Sequence, residues 1–203
     1  MNRNVLSAVL TVGVLTLLTG VAYPLAVTGL AALFCPGRAS GSLVFRGGRA
    51  VGSALLGQDF SDPAHFWGRG SATRPFPCNP SLSTGSNLGP ANPALLEAVE
   101  RRLHTLRSAD PENASPVPVD LVTASASGLD PHISPDAAFY QVRRVAKARG
   151  ASEEALRALV EAHMEGRTWG ILGEPRVNVM ELNLALDERY PGGAPPPRGI
   201  MEP

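Results

Sequence analysis

The chain has 203 residues, and its 18 basic and 18 acidic side chains make it formally neutral at pH 7. Proteins that bind nucleic acid concentrate Lys and Arg on one face, so this balance excludes nucleic acid as an expected partner. The two cysteines and four scattered histidines lack the spacing of metal ligands, and no metal site is predicted.

A stretch without charged residues covers residues 4–37 and predicts one membrane-spanning helix at 5–34. A helix needs about 20 apolar residues to cross a bilayer, so tilt, an extension beyond the bilayer or a bend near Gly20 and Pro24 must absorb the surplus length. A cleaved signal peptide is the alternative interpretation, but apolar sequence continues to Phe34 and favours an anchor. Charge does not fix the orientation, because the N-terminal tail offers the positive-inside rule little to count.

The residues beyond the span are enough for one domain with a buried core. Strand-like and helix-like segments both occur among them, which favours an α+β fold. The predicted organisation is a short N-terminal tail at 1–4, the span at 5–34, one soluble α+β domain at 38–190 and a Gly- and Pro-rich tail at 191–203 that is expected to be disordered.

The soluble domain is predicted to begin with a β-hairpin. Short β-prone runs at 42–45 and 50–55 flank a Gly-Gly pair at 47–48 that suits a tight turn. A loop-rich stretch follows at 60–93 and contains Phe, Trp, Gly, Ser, Pro and Asn. Such a long irregular segment usually binds something, and packing of its aromatic residues on the core is an alternative of equal weight.

Four helices are predicted from apolar residues at helical spacing and from local capping signals. They begin at Pro93, at Pro135, directly after Ser152 and at Val179, and they end before Pro111, at Arg149, at Gly166 and at Glu188. Their N-caps are Asn92, Ser134, Ser152 and Asn178. A strand is the alternative for the last of them. The basic clusters Arg101–Arg102 and Arg143–Arg149 lie on these helices and are interpreted as solvated faces rather than phosphate sites.

The segment 119–135 uses small and turn-forming residues where a packing element would use large ones. Val119–Val122 suits a short strand. Residues 124–128, A-S-A-S-G, leave almost no side chain on the backbone, so another surface can approach closely. Ser134 and Pro135 then begin a helix. The pattern is typical of a structural or docking loop.

A catalytic interpretation of this loop uses Ser127, Asp130 and His132 as a hydrolytic triad, which would make the chain a membrane-anchored serine hydrolase. No G-x-S-x-G motif presents an exposed serine here, and Asp and Ser commonly bind backbone amides in tight turns. A tethered module that captures cations is the least favoured interpretation, because no oxygen-ligand loop is visible. Its candidate ligands are Asp130, Asp136, Glu165 and Glu174.

Several blocks together resemble one known family over nearly the whole chain. They are T-G-V-A-Y-P at 19–24, G-S-A-L-L-G-Q-D-F at 52–60, S-T-G-S-N-L-G-P-A-N-P at 83–93, V-T-A-S-A-S-G-L-D-P-H-I-S-P at 122–135, A-A-F-Y-Q-V-R-R-V-A-K-A-R at 137–149 and G-E-P-R-V-N-V-M-E-L-N-L-A-L-D at 173–187. The family is the C subunit of the bacterial Kdp potassium-transporting P-type ATPase.

The resemblance implies a non-catalytic accessory subunit of an ATP-driven, high-affinity potassium import pump in the bacterial inner membrane. It implies a single-pass topology with a short cytoplasmic N-terminus and an extracytoplasmic domain. The implied partners are a potassium-channel-like subunit and the P-type catalytic subunit, whose ATP binding the family promotes as a catalytic chaperone. Candidate partner contacts are Gly20, Tyr23, Pro24, Asn87, Ser127, Gly128, Asp130, Pro131 and His132.

A second resemblance concerns nucleotide. The run S-L-S-T-G-S at 81–86 is similar to the L-S-G-G-Q signature of another class of transport ATPases, although Thr84 replaces a glycine and Ser86 a glutamine. The candidate nucleotide residues are Ser83, Thr84, Gly85 and Ser86. No cofactor is expected to bind tightly, ATP is expected only through the complex, and an ordinary loop is the favoured interpretation.

The two cysteines permit at most one internal disulfide. Cys35 ends the apolar stretch and Cys78 lies in a Pro-rich loop, and nothing in their positions supports a bond between them. Both are expected to act as small apolar residues.

Overall fold

The structure is a computed structural model that describes residues 2–192. The chain divides into two compact units, Met1–Leu43 and Val44–Pro203. From residue 193 onward, the tail predicted to be disordered lies outside the described residues. Its disorder therefore stays a prediction, and so do the exact domain boundaries. A long apolar helix followed by a mixed α/β domain confirms the predicted fold class.

The first unit is an apolar helix that spans Arg3–Phe34 and consists of α1 (Arg3–Leu17), a π-helical segment (Leu18–Ala22) and α2 (Tyr23–Phe34). At 1.5 Å per residue it is roughly 48 Å long, more than a ~30 Å hydrocarbon core requires. Pro24 lacks an amide hydrogen and its ring opposes the carbonyl of Gly20, so the wider π turn lies where the sequence predicts an irregularity. No described residue of this helix is buried, which leaves its surface for lipid or partner helices. A short helix, α3 (Pro36–Ala39), follows.

The second unit contains the predicted hairpin and a small sheet. The hairpin pairs β1 (Leu43–Arg46) with β2 (Arg49–Ser53). Gly47 and Gly48 both have positive φ, 57° and 79°, which fits a type I′ turn and confirms the prediction. The sheet is antiparallel in the order β3–β5–β4, from β3 (His132–Ile133), β4 (Met164–Glu165) and β5 (Arg176–Asn178). In its register Ile133 and Met164 both face Val177 on the central strand.

The five described helices of this unit include four that begin where their caps predict. They are α4 (Pro93–Ala109), α5 (Val119–Val122), α6 (Pro135–Arg149), α7 (Glu153–Ala162) and α8 (Val179–Arg189). A cap side chain accepts a first-turn amide hydrogen at the N-termini of α4, α6, α7 and α8, from Asn92, Ser134, Ser152 and Asn178. The helical interpretation of the last segment is therefore confirmed over the strand alternative.

Two predicted elements are wrong. Val119–Val122 is a helical turn rather than a strand, with Val119 73% exposed while Leu121 and Val122 are buried. The turn also places the Asp120 carboxylate where it accepts the Ser134 amide hydrogen at 2.7 Å. The third predicted helix ends at Ala162 rather than at Gly166, because the next residues pair with β5 as β4.

The hydrophobic core is formed by α6, α7, α8 and the sheet, and it includes aromatic residues of the loop at 60–93. Phe60 and Phe66 are buried in this core, Trp67 packs against it, and Phe76 stays exposed. The alternative that the loop aromatics pack on the core is thus confirmed for Phe66 and Trp67.

Buried polar side chains on α6 and α8 hold this loop by its backbone. Gln141 accepts from the Trp67 amide at 2.8 Å and donates to its carbonyl at 3.1 Å. Asn183 does the same for Phe66, at 2.8 and 2.9 Å. Arg144 donates to the His65 carbonyl at 3.0 Å and lies 4.1 Å from the centre of the Trp67 ring. The backbone at 65–67, which has no regular secondary structure, therefore has hydrogen-bond partners inside the domain.

Asp187 on α8 is the centre of a second polar cluster. Its carboxylate accepts hydrogen bonds from Arg149 at 2.6 Å and Arg46 at 3.0 Å, and it lies 3.0 Å from Nε2 of buried His65. The Arg149 side chain is 0% exposed and Arg144 is buried, so the prediction of a solvated basic face on α6 is wrong for both. Burial of these guanidinium groups is tolerated because each has acceptors in place.

Candidate functional site

The small-residue loop, residues 124–128, is contacted by backbone from distant parts of the chain. The Ser125 amide donates to the Gly70 carbonyl at 2.9 Å, and the Thr84 amide donates to the Ser127 carbonyl at 2.9 Å. The Ser71 hydroxyl donates to the Gly128 carbonyl at 2.8 Å. These bonds fasten the segments around residues 70 and 84 to the small-residue loop.

Two glycines make this close approach possible. A Cβ at Gly85 would lie 2.7 Å from the Ala126 carbonyl oxygen. A Cβ at Gly128 would lie 2.7 Å from the Thr84 carbonyl oxygen and 2.6 Å from Cγ2 of Thr73, and Gly128 also has a φ of +70°. The close approach predicted from the sequence is confirmed, and the approaching surface belongs to the same domain.

The candidate triad residues lie next to this loop but do not form a triad. Nδ1 of His132 lies 3.2 Å from Oδ1 of Asp130, while Oδ2 accepts from Arg69 at 2.9 Å. A triad serine would face the other ring nitrogen of the histidine. The Ser127 hydroxyl instead accepts from the Leu129 amide at 3.1 Å, and among the described residues no hydrogen bond joins it to His132. The hydroxyl therefore stabilises a turn.

The pKa of Asp130 lies below its ordinary value. The main cause is the hydrogen bond from the His132 side chain, and the His132 amide and the charge of Arg69 act in the same direction against partial burial. The carboxylate therefore stabilises the fold above about pH 4 and loses this contribution as the pH falls through its lowered pKa.

Replacing Asp130 with Asn is expected to lower the free energy of unfolding at neutral pH by about 1 kcal/mol, because a partly exposed charged acceptor of two side chains is lost. Thermal unfolding of both proteins across the acidic range measures this. The difference between them should shrink below pH 4, and a difference that stays constant with pH would contradict the assignment.

A cleft of about 890 Å³ opens beside Asp130 and His132. Its wall has mixed charge, with Arg69, Arg157 and Arg176 among its residues. Three of the four carboxylates considered as cation ligands are held by arginines: Asp130 by Arg69 at 2.9 Å, Glu174 by Arg167 at 2.7 Å and Glu165 by Arg176 at 2.7 Å. Within residues 2–192 no group of three or more His, Cys, Asp or Glu could hold a metal ion.

The candidate nucleotide residues are also used inside the domain. The Ser83 hydroxyl donates to the Ser127 carbonyl at 3.1 Å, which also accepts the Thr84 amide at 2.9 Å. The Thr84 hydroxyl donates to the Gly85 carbonyl at 3.3 Å. Ser86 is exposed. Nucleotide contact at this segment stays a prediction, and three of its hydrogen-bond donors, the Ser83 hydroxyl and the amide and hydroxyl of Thr84, are already bonded within the fold.

The candidate partner contacts differ in how accessible they are. Tyr23 is exposed on the apolar helix, and Asn87 is exposed with a positive φ of 52°. Asp130 and His132 are half-buried at the cleft. Gly128 and Pro131 are buried, and the Pro131 carbonyl accepts the Val179 amide at 2.9 Å. Partner contact therefore stays a prediction for the exposed members, while the two buried residues serve the packing of the loop.

Sequence reasoning missed Arg69 and the surface turn at 168–172. Arg69 is a single basic residue between two glycines, so no periodicity marks it. The turn could have been predicted from the run T-W-G-I-L-G at 168–173. Its two glycines interrupt the large apolar residues, which disfavours a buried helix or strand and favours a turn. Arg69 lines the cleft directly. The turn adjoins the cleft through Glu174, which follows the turn and also lines the cleft.

A family model and curated relatives of this chain all point to the same protein family. The family model described as "KdpC: K+-transporting ATPase, c chain" matches residues 5–188. The chain is 64% identical over 182 residues to the potassium-transporting ATPase KdpC subunit of Polaromonas naphthalenivorans (strain CJ2), covering 90% of this chain and 93% of that protein. It is 61% identical over 187 residues to the same subunit of Variovorax paradoxus (strain S110), covering 92% and 97%.

Proposed function

Because the chain belongs to the KdpC family of K+-transporting ATPase c chains, a family of non-catalytic subunits, we propose that it assembles an ATP-driven potassium import pump. Its proposed partners are a potassium-channel-like subunit and the P-type catalytic subunit. The observation that carries the proposal is the family match over 5–188, which includes both the apolar helix and the domain.

The physical chemistry of the span agrees with an accessory role. A single helix has no polar lumen to replace the hydration shell of an ion, and residues 4–37 contain no Asp, Glu, Lys, Arg or His, the side chains that mark an ion relay. The potassium route therefore belongs to other chains. The exposed surface of Arg3–Phe34 is available to pack against their helices.

Co-purification tests the assembly role. The full chain, tagged and extracted in mild detergent from cells that express the pump, is expected to recover both other subunits, and recovery of neither would contradict the proposal. Ser127→Ala is expected to leave that recovery and potassium-limited growth unchanged. A hydrolase would instead lose a measurable esterase activity with this substitution.

We place the domain on the extracytoplasmic side of the bacterial inner membrane. The native Cys78 is a poor probe of the orientation, because burial, together with the charge of Asp59, raises the pKa of its thiol to about 11. Little of the reactive thiolate is therefore present at neutral pH. A chain with a cysteine in place of Glu154, an exposed residue of α7, and with Cys35 and Cys78 replaced by Ser, offers a better target. A membrane-impermeant maleimide is expected to label it in intact cells, and labelling only in inverted vesicles would reverse the orientation.

The chaperone role is proposed to act through the complex, without a direct bond between ATP and this chain. An extracytoplasmic domain does not meet cytoplasmic ATP, and Ser83 and Thr84 already hold the small-residue loop. The pump with this chain is expected to bind nucleotide more tightly than the pump without it, and Ser86→Ala should not change that affinity. A loss of affinity in Ser86→Ala would indicate direct contact.

A further inference from the structure

A small apolar turn at 168–172 lies fully on the surface of the domain. Trp169 is 85% exposed, Ile171 is 74% exposed and Leu172 is 52% exposed. Large apolar side chains scattered singly over a surface are normal, but three within four residues form a patch. Folding of the domain gains little from these side chains, so their exposure requires another explanation.

Backbone hydrogen bonds close the turn, and Trp169 has an unfavourable backbone conformation. Thr168 and Leu172 exchange two backbone hydrogen bonds, at 2.9 and 3.0 Å, and the Gly170 amide donates to the Arg167 carbonyl at 3.0 Å. Trp169 has a φ of +55°, a region that bulky residues rarely adopt. The backbone around Trp169 is already closed by hydrogen bonds, so less backbone entropy is lost when this exposed side chain enters a pocket than in an open loop.

The charges around the turn favour a protein surface over an anionic membrane as its partner. Arg167 pairs with Glu174 at 2.7 Å across its base, and Arg176 pairs with Glu165 at 2.7 Å on the adjoining strands. Segments that insert into anionic bilayers carry an excess of Lys and Arg, whereas this rim is neutral. An apolar centre with Trp inside a polar, charge-balanced rim is the arrangement of a protein–protein contact.

We propose that the turn at 168–172 docks, with Trp169 as its anchor, into an apolar pocket with a polar and overall neutral rim on another protein subunit of the pump. This inference rests on the proposed function, since it needs a pump subunit to supply the pocket. The partner chemistry is therefore that of a folded protein surface, and the attachment should be insensitive to salt.

Photo-crosslinking of the full chain in membranes that contain the pump tests this directly. Benzoylphenylalanine in place of Trp169 is expected to crosslink to an identified pump subunit, whereas the same group in place of exposed Leu96 on α4 should not. Crosslinking at position 169 to lipid alone, or to a second copy of this chain, would overturn the proposal.

Retention of the other subunits provides a second readout. Trp169→Ser is expected to weaken retention by at least about tenfold at low and high salt alike, with Leu96→Ser as the matched control that retains them normally. The melting temperature should not fall, because the removed side chain is exposed. If the wild-type chain retains no pump subunit, the proposed function itself fails. If the wild-type chain and Trp169→Ser retain them equally, only the docking proposal fails.

Discussion

Replacing Gly128 with Ala is expected to lower the free energy of unfolding by roughly 3 kcal/mol or more. The new Cβ would lie 2.7 Å from the Thr84 carbonyl oxygen and 2.6 Å from Cγ2 of Thr73, and the residue has a φ of +70°. The backbone of residue 84 cannot retreat freely, because the Thr84 amide is bonded to the Ser127 carbonyl. Strain in φ and overlap with fixed backbone therefore act together. Urea denaturation of the full chain in mild detergent measures the loss.

Two other glycines separate these causes. Gly150 has a φ of +63° and open space around its Cβ position, so Gly150→Ala should cost only the backbone strain, about 1 kcal/mol. Gly89 has open space and no positive φ, and Gly89→Ala should change stability by less than about 0.5 kcal/mol. If Gly128→Ala costs no more than Gly150→Ala, the close approach to the small-residue loop does not constrain the fold.

The elements that the sequence predicts well are those whose signals are local. A cap side chain bonds an amide two or three residues away, so the starts of α4, α6, α7 and α8 can be predicted from Asn92, Ser134, Ser152 and Asn178. The hairpin is similar, because its turn requires two residues that tolerate positive φ.

The elements that the sequence predicts badly depend on distant residues. Val119–Val122 has the composition of a strand, but a helical turn presents Asp120 to Ser134 and buries Leu121 instead. Arg144 on α6 looks like part of a solvated face, but its buried guanidinium group donates to the loop backbone 79 residues away, at the His65 carbonyl. The spacing of apolar residues along α6 cannot predict this distant acceptor.

The candidate site is predicted only in part for the same reason. Small residues at 124–128 predict that something comes close, but they do not say that it is the chain around Thr84. Likewise Asp130 and His132 are neighbours in sequence, whereas Arg69, which completes their ion pair, comes from 61 residues away. The family assignment rests on ordered sequence blocks, because nothing in the geometry of these groups alone specifies potassium transport.

Replacing Asp187 with Ala is expected to lower the free energy of unfolding by about 3–5 kcal/mol, because it leaves the buried guanidinium group of Arg149 without its carboxylate partner. Arg149, whose side chain is 0% exposed, loses a 2.6 Å bond, and Arg46 loses a 3.0 Å bond. His65, which is buried as well, loses the carboxylate 3.0 Å from its Nε2. The loop at 62–67 and the hairpin should loosen together, so protection of their amides in hydrogen exchange should fall with the global stability.

Glu174→Gln is the matched control, because it removes an exposed ion pair with Arg167 and should cost less than about 0.5 kcal/mol.

The acid dependence of the stability gives a second check on the role of Asp187. Burial alone would raise the pKa of Asp187, but hydrogen bonds from Arg149 and Arg46 and the proximity of His65 bring it below the ordinary 3.8. The carboxylate therefore stabilises the fold above about pH 4 and stops doing so as the pH falls through that lowered pKa. The wild-type protein and Asp187→Ala should become more similar in stability under acid, and an equal gap at all pH values would show that the lost contribution is packing rather than charge.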